Sequence, residues 1–441
     1  GNDGKPAEHK YRIHDPKHSE GPSMVREENR QEFSKGLTDR YIALWQSHGR
    51  YYEEATGRWE WQRAPLFTTV EDMYTQSYVL PFLIPMLENA GAYVMTPRER
   101  DTQKYEVITD NDPSFTSPRE GLLRRRGKYS ERGSWKDAGI GFADYKEIYT
   151  GNDNPFMHGT VRQTSCVDTP KGTASVTWTP DIPERGKYAV YISYKSLPNS
   201  SESAHYIVKH LGGTSSFLVN QKMGGGTWIY VGTFEFEKGT DGCVTLDNGT
   251  RKGASFKTGS IVTADAVKIG GGMGKIARGN SDMPVSTYTT SGLPSFTEGA
   301  LYWMQWAGVD STIIRSYKND YTNDYGDRGA WVSMMAGGSR VNPKAQGKGI
   351  PFDMSFAFHT DAGTTPGDSI VGSLAIYTLI SNGSRRYPDG EDRIISRIMT
   401  DDIQTQIVED VRAQFEPKWS RRQLADRSYS ESRTPCVPAT L

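Results

Sequence analysis

Tyr41-Ile42-Ala43-Leu44-Trp45 is the first uninterrupted apolar run in the chain. A run without alternation suits a strand covered on both faces, as in a parallel sheet. It stops at Gln46-Ser47-His48-Gly49, and a loop rich in Tyr, Trp and Glu follows. Beyond it Met73, Val79, Leu80, Leu83, Ile84 and Leu87 recur at helical spacing. The pattern predicts a helix over about 69–89, kinked or broken by Pro81 and Pro85. Gly91 closes that helix, and Ala92-Tyr93-Val94-Met95-Thr96 reads as the next strand. Strand, helix, strand in this order predicts a parallel α/β unit.

The pattern changes at about residue 113. Until about 284, short alternating stretches such as Ser175-Val176-Thr177-Trp178 and Tyr188-Ala189-Val190-Tyr191-Ile192 are separated by Gly, Pro, Asn and Asp. Such spacing predicts an antiparallel β-sandwich. Helix-like segments return afterwards at 295–306, 327–336 and 391–415, with strands expected at 312–314, 352–358 and 372–379. Ser295 and Glu298 have the spacing of a capping box. The expected fold class is therefore α/β, interrupted by an inserted antiparallel sandwich. The expected boundaries are an N-terminal arm at 1–36, a first α/β part at 37–112, the insert at 113–284, and a second α/β part at 285–441.

Composition limits the function classes. A chain of 441 residues is expected to form two or three domains. A formal charge of −1 supplies no field that would draw nucleic acid or anionic lipid, so no nucleic-acid partner is expected. The run Arg124-Arg125-Arg126 reads as a local solvated patch in a charged loop. No stretch is apolar enough to span a bilayer. Cys166, Cys243 and Cys436 are far apart and make no Cys-x-x-Cys pair, although the first two could pair under oxidising conditions. The polar start Gly-Asn-Asp-Gly reads as a trimmed mature end after removal of an export signal, which implies a periplasmic or extracellular protein.

Of the eight histidines, His9, His14 and His18 fall in the arm, and His158, His205 and His210 in the expected sandwich. His48 and His359 each follow an apolar run in the α/β part, at the carboxyl strand edge where open α/β sheets bind ligands. Two imidazoles there suit zinc if a third donor joins them and a fourth position stays open. Glu71 is the leading third donor, at the start of the helix behind the first strand. Glu53 and Glu54 are nearer in sequence but lie in a loop. Tyr51, Tyr52, Trp59 and Trp61 are candidates for lining a sugar- or peptide-binding groove.

Ser47-His48-Gly49, Val70-Glu71-Asp72, the stretch Asn89-Ala90-Gly91 to Asp101, Asp327-Arg328, and Ser355-Phe356-Ala357-Phe358-His359-Thr360-Asp361-Ala362-Gly363 together resemble a zinc-dependent N-acetylmuramoyl-L-alanine amidase of the type 3 family. The resemblance covers about 36–112 and 290–441. It implies an amidase-type sheet with flanking helices, Zn2+ held by His48, Glu71 and His359, and hydrolysis of the muramoyl–L-alanine amide in peptidoglycan or muropeptides. It also implies a general acid/base glutamate beyond Leu441. The segments Ala204-His205-Tyr206, Val219-Asn220-Gln221, Trp228 to Phe236, and Val262-Thr263-Ala264-Asp265-Ala266-Val267-Lys268 resemble a golvesin-type, xanthan-lyase carbohydrate-binding-like domain, which implies glycan contact. Two rival readings remain: a glycan- or cell-wall-binding protein on an inactive amidase scaffold, and a related zinc peptidase.

Overall fold

The computed structural model describes residues 21–30, 36–66, 68–112, 124–254, 256–360, 367 and 369–441. His9, His14 and His18 and the turn Asp361-Ala362-Gly363 lie outside the described residues.

The first apolar run forms the strand Tyr41–Gln46, buried along its whole length. Strand alternation divides its side chains between two faces. Tyr41, Ala43 and Trp45 enter the large core, while Ile42 and Leu44 join a smaller cluster with Val79, Ile84 and Val94. The strand lies in a four-stranded parallel sheet in the order Ala439–Thr440, Met354–Phe358, Tyr41–Gln46, Tyr93–Met95. The segment behind it is broken as the prolines require. Glu71–Tyr78 is α-helical, Val79–Leu83 forms a π turn around Pro81, and Ile84–Asn89 resumes the α-helix.

The expected α/β class with an amidase-type sheet is overturned. Strand takes up 31% of the chain and helix 21%, and most strands belong to antiparallel sheets. A six-stranded sheet runs Val25–Glu27, Gly213–Val219, Ala204–His210, Cys243–Asp247, Ser175–Thr179, Lys128–Arg132. A five-stranded sheet runs Ile229–Phe236, Gly186–Ile192, Val267–Ile269, Glu106–Thr109, Arg124–Arg126. A three-stranded sheet joins Ile261–Ala264, Gly159–Ser165 and Lys136–Gly141. The parallel sheet has fewer strands than the first two, and its edge strands have two and three residues. A few long apolar runs pointed to α/β, but many short alternating strands bury more of the chain. The antiparallel sheets also draw in Val25–Glu27 from the arm and Glu106–Thr109 from before the insert.

Several local expectations change for identifiable reasons. Arg124–Arg126 is a strand at the edge of the five-stranded sheet rather than a loop, paired in parallel with Glu106–Thr109. Thr312-Ile313-Ile314 lies in the helix Ser311–Ile314, because Asp310 caps it by accepting from Thr312 N at 2.8 Å. The helix expected at 327–336 starts at Asp320, where Asn319 accepts from Thr322 N. The segment 295–306 splits into a 3-10 turn, Ser295–Thr297, and the helix Ala300–Trp306, without a cap from Ser295. The strand expected at 372–379 contracts to Ile376–Tyr377, and the last long helix spans Ile394–Gln414. All three cysteines are free, so Cys166 and Cys243 form no disulfide. No helix among the described residues is long and apolar enough to cross a membrane.

Parallel sheet and sandwich share one large hydrophobic core, in which Trp45, Met95 and Trp331 pack with residues such as Tyr191, Trp228 and Ile269. Polar contacts from residues 98–101 reinforce the junction. Lys268 Nζ reaches Glu99 Oε2 at 2.7 Å, with neither side chain exposed, and the Tyr191 hydroxyl donates to the other Glu99 oxygen. Arg100 makes two bonds to Glu88, at 2.7 and 2.8 Å, and lies over the Tyr230 ring. Asp101 accepts from Ala189 N at 2.7 Å. Removing one partner of a buried pair strands the other charge, a loss of about 3–5 kcal/mol. Lys268→Met is expected to lower the stability measured by urea unfolding by about that amount, whereas exposed Lys238→Met leaves it nearly unchanged.

Candidate metal centre

Two neighbouring parallel strands deliver the two histidines. Tyr41–Gln46 pairs in register with Met354–Phe358, and Ser47 N donates to Phe358 O at 2.7 Å where both strands end. His48 and His359 therefore leave the sheet at one edge, with ring centroids 4.7 Å apart. The turn carrying His48 is tightly constrained. Ser47 has φ +23° and its hydroxyl lies 2.7 Å from that of Thr75. At Gly49 an added Cβ would stand 2.4 Å from the Glu298 carbonyl, so no side chain fits without moving backbone.

Two buried arginines grip this turn. Arg98 donates to the carbonyls of Gln46, His48, Glu298 and Phe296, the last two at 3.1 Å. Burial draws Arg98 down to about 10, against the pull of Asp324 and Asp72, so it stays charged at neutral pH. Arg328 donates to the Ser47 carbonyl from the other side.

Glu71 opens the helix behind the strand and completes a triangle. One ligating atom from each of His48, Glu71 and His359 lies within 4.8 Å of the others. His48 Nδ1 stands 3.7 Å from one Glu71 oxygen, and His359 Nδ1 is 3.1 Å from the other. Thr360 N donates to the same carboxylate, and Arg63 Nε approaches it at 3.4 Å. His48 Nδ1 is buried and has no hydrogen-bond partner among the described residues. Burial, with the neighbouring positive charges of His359 and Arg328, pushes the His48 pKa well below the usual imidazole value. A neutral, unpartnered imidazole nitrogen aimed at a carboxylate and a second imidazole is what a metal ligand requires, and two nitrogens with one oxygen form the donor set of an open zinc site.

Glu431 is the residue that sequence reasoning missed. It lies in the short helix Ser430–Arg433, and its Oε2 is 2.9 Å from His359 Nε2, opposite the nitrogen that faces Glu71. Its Oε1 accepts from Trp45 Nε1 at 2.6 Å and lies 3.3 Å from Arg328 Nε. Burial raises the Glu431 pKa, but Arg328, His359 and Trp45 outweigh it and hold the carboxyl down at about 2. Burial likewise lowers His359, while Glu431 and Glu71 more than offset it and raise the metal-free imidazole to about 9. Nothing in Tyr429-Ser430-Glu431-Ser432-Arg433 marks such a role, since the segment reads as polar surface.

The alternative donors stay apart from the triangle. Glu53 accepts from the Tyr51 hydroxyl and Ala55 N in the hairpin of Arg50–Glu53 with Arg58–Trp61, and Glu54 is exposed. The expected aromatic groove is not formed by Tyr51, Tyr52 and Trp59. All three are buried, and Trp59 packs on Tyr302 with its indole N–H donating to Thr289 O. Trp61 stays partly exposed beneath Arg50. Of the sandwich histidines, His205 is buried between Asp247, at 2.6 Å, and Glu28, at 3.2 Å.

Comparison with known proteins bears on the sandwich. Residues 126–271 match the Golvesin C-terminal domain family. This part of the chain is similar to a Golvesin C-terminal domain. A xanthan lyase of Bacillus sp. (strain GL1) is 35% identical over 137 residues, 31% of this chain, and the chain spans 13% of that relative's length. Among solved structures, a Paenibacillus xanthan lyase is similar over 38% of this chain and 13% of its own, at 26% identity and a TM-score of 0.27. The CBM35 of Cellvibrio japonicus Abf62 is similar over 35% of this chain and 99% of its own, at 17% identity and a TM-score of 0.19. His48, Glu71 and His359 all lie outside the matched residues 126–271.

Two measurements probe the centre. Glu431→Gln removes the carboxylate that orients His359, so zinc affinity by competition with a chelator is expected to fall about 10–100-fold while the fold is kept. Glu298, beneath Gly49, gives a pH signature. Burial lifts its carboxyl from 4.5 to about 8, against Ser291, Arg278 and Arg50. The native state then holds a proton that the unfolded chain has released, so stability falls as pH rises from about 4.5 to about 8. Urea unfolding across that window is expected to show a shallower fall in Glu298→Gln.

Proposed function

We propose that the chain is a glycan-directed protein acting outside the cytoplasm, in which the Golvesin domain contacts polysaccharide and His48, Glu71 and His359 hold a zinc ion. The family match, and the identity to a xanthan lyase within the same segment, support the glycan half. That similarity spans 13% of the lyase, so the lyase reaction itself is not carried over. The metal half is carried by one observation, the convergence of three donor atoms within 4.8 Å around an unpartnered imidazole nitrogen. His48 Nδ1, His359 Nδ1 and a Glu71 oxygen would be the ligands. Bound there, zinc supplies an acidified water and a Lewis acid for a carbonyl oxygen. Glu431 fixes the tautomer and plane of His359, and Arg98 with Arg328 fixes the backbone that presents His48.

The same triangle favours a second, narrower reading: hydrolysis of the amide between N-acetylmuramic acid and L-alanine in peptidoglycan. That reaction needs a further carboxylate to take a proton from water and return it to the leaving amine. Glu431 is unsuited, because Trp45, Arg328 and His359 engage both its oxygens.

Metal analysis of the purified protein is expected to find one zinc per chain, lost in His359→Ala. A wild-type protein without stoichiometric zinc would overturn the metal half. Incubation with insoluble peptidoglycan then separates the readings. Sedimentation with the wall material supports glycan contact, and free stem peptides identified by mass support the amidase. Sedimentation without release leaves a binding protein, and peptide fragments cut within the stem indicate a peptidase.

A further inference from the structure

The Golvesin domain carries an open cleft of about 360 Å3 at one end of its six-stranded sheet, lined by Arg132, Pro170, Lys171, Gly172, Asp247 and Arg251. The cleft is shallow and open to solvent, so a sugar unit of a longer chain can lie across it. Three lining side chains are cationic and one is a carboxylate. Asp247 is committed within the wall. Its Oδ1 accepts from Gly249 N at 2.8 Å, and its Oδ2 meets buried His205 at 2.6 Å and Arg251 at 3.0 Å.

The walls are held in place before any ligand arrives. Asn248 is buried, and its side-chain oxygen accepts from Thr173 N and Ala174 N, both at 2.9 Å. Its amide donates to Ser165 O at 2.7 Å. Thr250 N donates to Thr169 O, and Arg251 donates to the Pro170 carbonyl. These bonds tie the loop carrying Pro170, Lys171 and Gly172 to the turn carrying Arg251. Arg132 makes two long bonds among the described residues, 3.3 Å to Ser175 Oγ and 3.4 Å to Gly172 O, and both Arg132 and Lys171 are exposed at the mouth. Pro170 adds an apolar surface against which the C–H face of a sugar ring can lie.

We propose that this cleft binds an acidic sugar of a polysaccharide, with Arg132 and Lys171 recognising its carboxylate and Pro170 packing on its ring. The assignment rests on the glycan-directed reading of the Golvesin domain and is independent of the metal centre. A guanidinium and an ammonium lining the same cleft supply charge-assisted donors to a carboxylate, and the hydrogen-bonded loop reduces the ordering cost of binding. A neutral sugar offers these cations hydroxyl acceptors but no opposite charge, so it forgoes the charge-assisted contribution.

Calorimetric titration of the full chain with a uronic-acid oligosaccharide, a neutral oligosaccharide of equal length and inorganic phosphate tests this. The acidic oligosaccharide is expected to bind, more weakly as salt is raised, and the neutral one not to bind. Lys171→Glu is expected to weaken binding by about tenfold or more, with Lys171→Ala intermediate and thermal unfolding unchanged. Arg132→Gln gives a second reading should Lys171→Glu fail to fold. Equal binding of the neutral oligosaccharide would overturn the acidic specificity while leaving glycan contact intact. Phosphate binding as tightly as the acidic sugar would reduce the cleft to a simple anion site. Full affinity in both the Lys171 and Arg132 variants would remove the cleft from consideration, and binding of neither oligosaccharide would overturn this inference together with the glycan half of the functional reading.

Discussion

Arg98 is the constraint on which the centre depends. Its guanidinium is completely buried and spends its donors on backbone carbonyls from two parts of the chain far apart in sequence, Gln46 and His48 on one side and Phe296 and Glu298 on the other. An arginine can do this because its donors are fixed in a planar fork, whereas lysine offers a single point charge. The turn that presents His48 would otherwise leave inward-facing carbonyls without partners, at a substantial desolvation cost. Gly49 completes the arrangement by letting the turn press against the Glu298 carbonyl.

The residues that follow Arg98 bind the second structural unit. Glu99 meets Lys268, Arg100 lies over Tyr230, and Asp101 accepts from Ala189, all three partners being in the Golvesin domain. Four consecutive charged residues thus address the candidate metal centre at one end and the sandwich at the other. With the shared hydrophobic core, this makes the Golvesin domain a rigid neighbour of the parallel sheet rather than a tethered module. A glycan held on the sandwich would therefore stand in a defined relation to the histidine edge.

In the candidate centre a carboxylate stands on each side of His359. Glu71 faces His359 Nδ1 and Glu431 faces Nε2, so the ring is held between two acids. His48 is more deeply buried, with Glu71 no nearer than 3.7 Å, and burial together with the positive charges of His359 and Arg328 holds its pKa well below the usual imidazole value. Two histidines at equivalent strand ends consequently have opposite electrostatic surroundings, and the difference comes from which side chains pack behind each strand.

The sequence by itself was sufficient for features governed by short-range pattern. The apolar run at Tyr41–Gln46, the proline-broken helix, the alternating strands of the sandwich and the two strand-end histidines follow from periodicity and local turn chemistry. Glu71 could be named as a donor, but its preference over Glu53 and Glu54 depended on which of them the helix packing brings to the sheet edge. Tertiary structure alone decided the balance of the fold, because sheet membership is a long-range property: Val25–Glu27 and Glu106–Thr109 join antiparallel sheets whose other strands lie far away in sequence. It also buried Tyr51, Tyr52 and Trp59, and brought Glu431 to His359 across 72 positions. A buried carboxylate acquires its role from the charges that surround it, and those are set by packing, which no local pattern of polar and apolar residues encodes.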